Sequence, residues 1–395
     1  MTGNDRLFTR RFFVMCGFTF TVFLSLFQLL PTAPFRILEL GGSTTAAGLF
    51  LGLLTYASAL SAPLTGALAD RIGRRRMLLV SSVAIALFSL AYAFAPRWQV
   101  LVALVFFHGL FWSGLLSASA AYMTGLIPNE RRAEGIGYWG MATVLAIAFA
   151  PALGLAVYAL SWKALCASVG ALNLAMAAIA WNLEPDPPRS AATGPFFSRD
   201  LVEWRVLAPS LALFLCSFGY GGVTSFVAIW TERNGIAPRG LFFTVFSLTV
   251  LVLRPFLGRY ADRAGPRRVL FPLLGLTALS FALLAVARTR PLLALAAFLF
   301  GAGFGNVYPV FAAHVTRHVL PERRGAAFGA ILAAFDVGIG TGSIALGAII
   351  GRLGFPAAYG TAAALAVLSM PAFHLLDRRA FPPARSRPQF ETTPA

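Results

Sequence analysis

Long apolar stretches separated by short polar breaks run the whole length of the chain, at 11–33, 44–69, 77–95, 98–125, 135–160, 163–183, 206–231, 239–260, 269–287, 291–317, 325–351 and 355–376. An α-helix needs about 20 mostly apolar residues to cross roughly 30 Å of hydrocarbon. The pattern therefore predicts an all-α integral membrane protein of twelve transmembrane helices. The stretches 239–260 and 325–351 are the weakest, because they carry Arg254 and Asp336 and many glycines. Arg10 and Arg11 precede an apolar run from Phe12 to Leu30, as in a signal peptide. That run exceeds the about 7–15 residues of a signal-peptide core and reads as a retained first helix.

Composition agrees: 58% of the 395 residues are hydrophobic and 12% are charged, against about 25% charged in an ordinary soluble domain. The net charge of +17 could suggest nucleic acid, since basic patches track phosphates. Its placement argues otherwise, for almost all of it is Arg in short breaks between apolar stretches, and Lys163 is the only lysine. With both termini inside, 23 of the 32 Lys and Arg fall on the inner side, eight on the other and Arg254 within the membrane. The positive-inside rule then predicts cytoplasmic termini, in a bacterial inner membrane. Cys16, Cys166 and Cys216 are odd in number and widely spaced, which supports neither a disulfide framework nor a metal pattern.

An internal repeat runs at constant offset. Gly66-Ala-Leu-Ala-Asp70-Arg71-Ile-Gly73-Arg-Arg75-Arg76 matches Gly258-Arg-Tyr-Ala-Asp262-Arg263-Ala-Gly265-Pro-Arg267-Arg268, and 262 − 70 = 192. Pro63 and Pro255 keep that phase, as do Gly109 and Gly301, Glu130-Arg131-Arg132 and Glu322-Arg323-Arg324, and Gly137 and Gly329. The repeat predicts two six-helix bundles, 1–183 and 206–376, related by a parallel pseudo-twofold, one of the known transporter plans. The proline-rich stretch 184–205 reads as their linker, and 377–395, with Pro382, Pro383 and Pro388, as a disordered tail.

The stretch Gly66 to Arg76 resembles the loop signature of the major facilitator superfamily, Gly-x-x-x-Asp-Arg-x-Gly-Arg-Arg-x, between the second and third helices, and its echo falls between the eighth and ninth. The resemblance covers essentially the whole chain. It implies a conformational latch made of Gly66, Asp70, Arg71, Gly73 and Arg75 with Gly258, Asp262, Arg263, Gly265 and Arg267. Asp70 would meet the start of the helix near Gly325, and Asp262 the start near Gly135. Physically, a glycine permits close helix contact and an aspartate suits the positive N-terminus of a neighbouring helix. Plain anchoring at the headgroups would explain the arginines but neither the Gly nor the Asp.

In the fifth helix, Gly137-x8-Ala146-x3-Ala150-Pro151-x2-Gly154 resembles the antiporter signature of the drug-export branch, with two glycines replaced by alanine. The resemblance implies export and a close-packed, kinked helix between the halves; helix packing without directional meaning is the alternative. In the fourth helix that branch carries Arg-x2-Gln-Gly, whereas this chain reads Val105-Phe-Phe-His108-Gly109. The Arg implicated in proton coupling is absent, and His108 becomes a coupling candidate because imidazole titrates near neutral pH; packing between helices is its other reading.

Charge inside the bilayer costs at least about 2.5–3.5 kcal/mol on insertion scales, so it usually faces a cavity and finds a partner. Arg254 and Asp336 are such residues, and their repeat equivalents are Ala62 and Val144. They are expected to pair or share a network in the C-terminal half, with Asp336 as the coupling proton's carrier. If the family plan holds, the cavity is lined from the first, fourth, seventh and tenth helices, with Gln28, Trp112, Tyr220, Thr224, Ser225, Asn306 and Tyr308 as candidates. Such an aromatic, amphipathic lining suits a partly apolar organic substrate. His314 and His318 are spaced i, i+4 but have no third ligand in sight, and Gly301-x-Gly303-x-Gly305 lies in an apolar helix rather than after a strand.

The expectation is a secondary active exporter of a small molecule, driven by protons, working as a monomer in the lipid bilayer with no cofactor, no metal and no nucleic-acid partner. An importer of a sugar or organic acid with the same fold is the alternative, though no pair of central arginines faces both halves. A membrane enzyme or a non-transporting sensor would want clustered His, Asp or Ser groups at one depth, which the sequence does not offer.

Overall fold

The computed structural model describes residues 7–128, 131–184, 203–320 and 323–381, with the backbone alone at Ala133, Asp262, Arg324 and Gly325. Glu130 and Glu322, the linker residues 185–202 and the tail residues 382–395 lie outside the described residues.

Among the described residues thirteen helices follow in order: α1 Arg10–Leu29, α2 Ala33–Glu39, α3 Thr44–Ile72, α4 Arg74–Ala93, α5 Trp98–Leu126, α6 Arg132–Leu160, α7 Trp162–Trp181, α8 Trp204–Arg233, α9 Leu241–Ala264, α10 Pro266–Val286, α11 Arg290–Ala302, α12 Phe304–Thr316 and α13 Arg324–Ala380. Among the described residues, eleven helical stretches are long and apolar enough to cross a membrane. One of them, the 57-residue α13, would be about 85 Å long if straight, nearly three bilayer cores. It bends back at Gly354, whose φ of 85° and ψ of 174° are not helical, and Pro356 follows just inside the next turn, where its missing N–H costs nothing. The chain therefore has twelve spans: α1 with α2 forms the first, α11 with α12 the tenth, and α13 the last two. Helix α13 stays helical to Ala380, so residues 377–380, expected in the tail, belong to the last span, and 382–395 lie outside the described residues.

Local chemistry sets the boundaries. Thr9, Ser43 and Ser161 each accept a hydrogen bond from a first-turn N–H, at Phe12, Ala46 and Ala164, which satisfies donors that a helix start leaves open. Gly73 and Gly265 end α3 and α9 at φ/ψ of 95°/139° and 88°/132°. Only glycine adopts that region without strain, which accounts for the glycine at both positions of the repeat.

The repeat also governs packing. A Cβ on Gly109 would lie 2.5 Å from the Leu54 carbonyl oxygen and 2.8 Å from the Ala57 Cβ. One on Gly301 would lie 2.6 Å from the Phe246 carbonyl oxygen and 2.7 Å from the Thr249 Cβ. Each contact of the first set maps onto the second by adding 192, so the second and fourth spans of each half cross at the same missing side chain.

Between the halves, α3 runs along the first part of α13 and α6 along α9. Thr44 Oγ1 donates to the Gly347 carbonyl oxygen at 2.6 Å, and Ser343 Oγ to that of Gly48 at 2.9 Å. This antiparallel pairing sets Thr44 beside the Gly354 bend, on what is termed here the far face. Gly73 lies at the other end of α3. Gly265 shares Gly73's side, since Asp377, at the end of the last span, pairs with Arg267. That side, with both repeat loops, is the loop face.

A central cavity that carries both membrane charges

Eight helices enclose a cavity of about 420 Å³. The N-terminal half contributes Phe23, Leu26 and Phe27 from α1 and Leu30 just past its end, Leu51, Leu54 and Thr55 from α3, Trp112 and Leu116 from α5, and Gly140, Thr143, Val144 and Ile147 from α6. None is charged. The C-terminal half supplies Tyr220 and Thr224 from α8, Phe246, Ser247, Val250 and Arg254 from α9, Phe304 and Tyr308 from α12, and Phe335, Asp336 and Ile339 from α13. One wall is a run of rings, with Tyr220 stacked on Phe304 at 4.6 Å, Phe304 on Phe335 at 5.9 Å, and Tyr308 against Phe335 at 5.2 Å. Across from it, Trp112 meets Phe23 edge-on at 5.5 Å.

Arg254 and Asp336 thus share the cavity, but they form no ion pair within 4.0 Å. Among the described residues Arg254 has no hydrogen-bonding or ionic partner. It also borders a second cavity of about 570 Å³ between α6 and α9, lined by Glu134, Tyr138, Met141 and Pro255 among others; Gly140, Val144 and Arg254 belong to both.

Of the candidate lining residues, Trp112, Tyr220, Thr224 and Tyr308 border the cavity and three others lie elsewhere. Gln28 is fully buried where α1 packs on α6 and α7. It bonds the Leu24 carbonyl and receives a hydrogen bond from Ser168, and its backbone touches Gly154. Ser225 bonds Ser343 at 2.8 Å between α8 and α13. Asn306 donates to the carbonyls of Gly301 and Ala302 across the break at Gly303. His108 also lies away from the cavity: its Nδ1 is 3.0 Å from the Tyr92 hydroxyl and its ring stacks on Phe88, while Trp162 donates to the Tyr92 carbonyl at 2.8 Å. His108 is 1% exposed, and its Nε2 has no partner among the described residues.

The glycines report which end of the cavity is shut. At the far face a Cβ on Gly48 would overlap Ser343 and one on Gly240 would lie 3.2 Å from Ala152, and deeper along the α3–α13 seam Tyr56 bonds Thr341 at 2.7 Å. At the loop face, Gly66, Gly137, Gly258 and Gly329 have nothing within 4 Å of such a Cβ. The halves touch at the far face and part toward the loop face, so the close approach predicted at Gly66 and Gly258 is absent in this conformation. Gly135 packs on Leu7 and Ile127. Gly154 of the antiporter-like helix meets α1 rather than the other half, and Ile147 and Ala152 make the contact across to α9.

Two loop-face clamps stand at equivalent positions. Arg75 donates to the carbonyls of Ala180 and Trp181 at the end of α7. Arg267, 192 residues on, reaches the end of the last span, where its Nε lies 3.2 Å from Asp377 Oδ2. Asp377 is 1% exposed and also accepts from His314 Nε2 at 2.6 Å. His318 turns its Nδ1–H to the His314 carbonyl at 2.9 Å, so the two rings serve separate bonds. Sequence reading missed Asp377, which stood at the border of an apolar stretch and a polar tail.

The chain matches the sequence profile of the Major Facilitator Superfamily over residues 12–239 and 209–394. The protein belongs to this superfamily. It is 28% identical over 375 residues to an MFS-type transporter of Burkholderia mallei strain SAVP1, covering 92% of this chain and 91% of that one. It is 27% identical over 342 residues to one of Salmonella typhimurium strain LT2, covering 84% and 87%. Among solved structures, a point mutant of the nucleoside transporter NupG superposes with a TM-score of 0.77 at 15% identity, over 92% of this chain and 99% of that one. The human organic anion transporter MFSD10 gives 0.71 at 19%, over 95% and 100%. As a member of the superfamily, the protein is a multi-pass membrane transporter and not an enzyme.

Proposed function

We propose that this major facilitator transporter exports a small, partly apolar organic compound in exchange for protons, its halves 1–183 and 206–376 rocking about the central cavity. The observation that carries this reading is Asp336, the carboxylate among the described lining residues, set in a mainly aromatic and aliphatic wall whose other charge is Arg254. A carboxylate there is costly when charged, so gain and loss of a proton would alter the cavity at each turnover. The antiporter-like helix around Gly137, Pro151 and Gly154 supports the outward direction. The 23-to-8 division of Lys and Arg supports termini in the cytoplasm of a bacterial inner membrane, which makes the present conformation open to the cytoplasm. The protein would work as a monomer, since one chain encloses the whole cavity.

The test is transport of a compound panel by inside-out vesicles, with and without an imposed pH gradient. Wild-type protein is expected to move at least one compound only when the gradient is present. Asp336→Asn should lose the response to the gradient while retaining exchange of compound down its own gradient. Gradient-driven transport by Asp336→Asn equal to wild type would end the reading.

A further inference from the structure

The geometry points to Arg254 as the site that takes the charged group of an anionic, amphiphilic substrate, with the aromatic cavity holding its apolar body. The inference deepens the transport reading of the same cavity and rests on it. It begins from an asymmetry between the two membrane charges. A carboxylate in a poorly solvated place can discharge itself by taking a proton. A guanidinium cannot, for it stays protonated in proteins and keeps five N–H donors that all require acceptors. Asp336 can therefore rest neutral, whereas Arg254 holds its charge in every state.

The structure gives Arg254 no internal answer to that charge. Among the described residues no carboxylate comes within 4.0 Å of its guanidinium, and Asp336 shares the cavity without pairing to it. Glu134, the acid of the adjoining cavity, is engaged in a two-pronged pair with Arg131 at 2.8 Å. The two cavities meet at Gly140, Val144 and Arg254. A molecule whose anionic end sits at this junction can lay apolar parts along Phe304 and Phe335 on one side or along Tyr138 and Met141 on the other. The planar fork of a guanidinium fits a carboxylate, sulfonate or phosphate oxygen pair. Within the central cavity the N-terminal half offers only uncharged contacts, and in the adjoining one its Glu134 is taken up by Arg131, so charge selection falls to the C-terminal half.

Equilibrium binding to the purified protein in lipid nanodiscs tests this, and because no gradient or direction enters, its outcome is separate from that of proton-driven export. The probes are three carboxylates, 2-naphthoate, indole-3-acetate and decanoate, each with its primary amide and its amine analogue, followed by titration calorimetry. At least one carboxylate is expected to bind tenfold or more tightly than its amide and its amine. Arg254→Gln should lower that affinity at least tenfold and leave the amide's within about twofold. Arg254→Lys, which keeps the charge but not the fork, should fall between. Retained amide binding shows that the Gln variant is folded; if it is not, the Lys variant carries the comparison. The proposal is overturned if no carboxylate outcompetes its amide, if an amine is preferred throughout, or if the carboxylate preference survives in Arg254→Gln; where only the Lys variant folds, an affinity equal to wild type overturns it.

Discussion

Replacing Gly48 by alanine offers a direct test of whether the far-face contact sets the resting conformation. The added methyl would overlap the Ser343 carbonyl oxygen and lie 2.8 Å from its carbonyl carbon, inside any normal contact, so α3 and α13 must separate. Overpacking of this kind costs about 1–3 kcal/mol. The strain exists only while the far face is shut, so it should shift the population about 5- to 150-fold toward conformations in which that face opens. Gly109→Ala supplies the control. Its methyl meets the Leu54 carbonyl at a similarly forbidden 2.5 Å, but inside one half, where both conformations suffer alike. Spin labels at Arg97→Cys and Arg288→Cys, exposed on the far face of the two halves, read the outcome by pulsed electron resonance in a background without the native cysteines. Gly48→Ala should add a longer-distance population and Gly109→Ala should lower thermal stability without adding one. The reasoning fails if both variants lose stability alike and neither distance distribution changes.

Other expectations follow from single residues. Asp377→Asn removes the negative charge that Arg267 and His314 share and leaves one accepting oxygen where there were two. Breaking a buried pair from one side costs about 3–5 kcal/mol, and the partial exposure of Arg267 brings this to roughly 2–3 kcal/mol; a double-mutant cycle with Arg267→Gln by reversible detergent unfolding should give a coupling well above about 0.5 kcal/mol. Gly73→Ala and Gly265→Ala force a side chain into a glycine-only backbone region and should each cost about 1–3 kcal/mol in the same assay. Equal stability to wild type would show that these turns relax freely. His108→Leu strands the Tyr92 hydroxyl, for a loss of about 1–3 kcal/mol, yet its dependence of transport on the pH gradient should match wild type. Loss of that dependence would return His108 to the coupling machinery.

The spans and the repeat were legible because both are written in one dimension: apolar length against bilayer thickness, and residue identity at a fixed offset. Arg254 and Asp336 were legible for the same reason, since a charge inside an apolar run is conspicuous. Which way a side chain points was not. Helices that are apolar on nearly every side carry little periodic signal, so Gln28, Ser225 and Asn306 looked equivalent to Trp112 and Tyr308, although the first three bond within helix seams. Asp377 was invisible for a different cause. Its partners Arg267 and His314 stand 110 and 63 residues away, and nothing local separates a buried acid at a span end from one in a solvated tail. The state of the latch glycines was equally out of reach, because a sequence describes both conformations at once.

The one-residue connectors of the far face have a mechanical meaning. Ser161 alone joins the fifth span to the sixth, and the single non-helical residue Gly354 joins the eleventh to the twelfth. These are stiff hairpins whose first arms form the contact between the halves and whose second arms end under Arg75 and Arg267. Each hairpin is thus a lever, and prying apart its outer end would pull on the grip at its inner end.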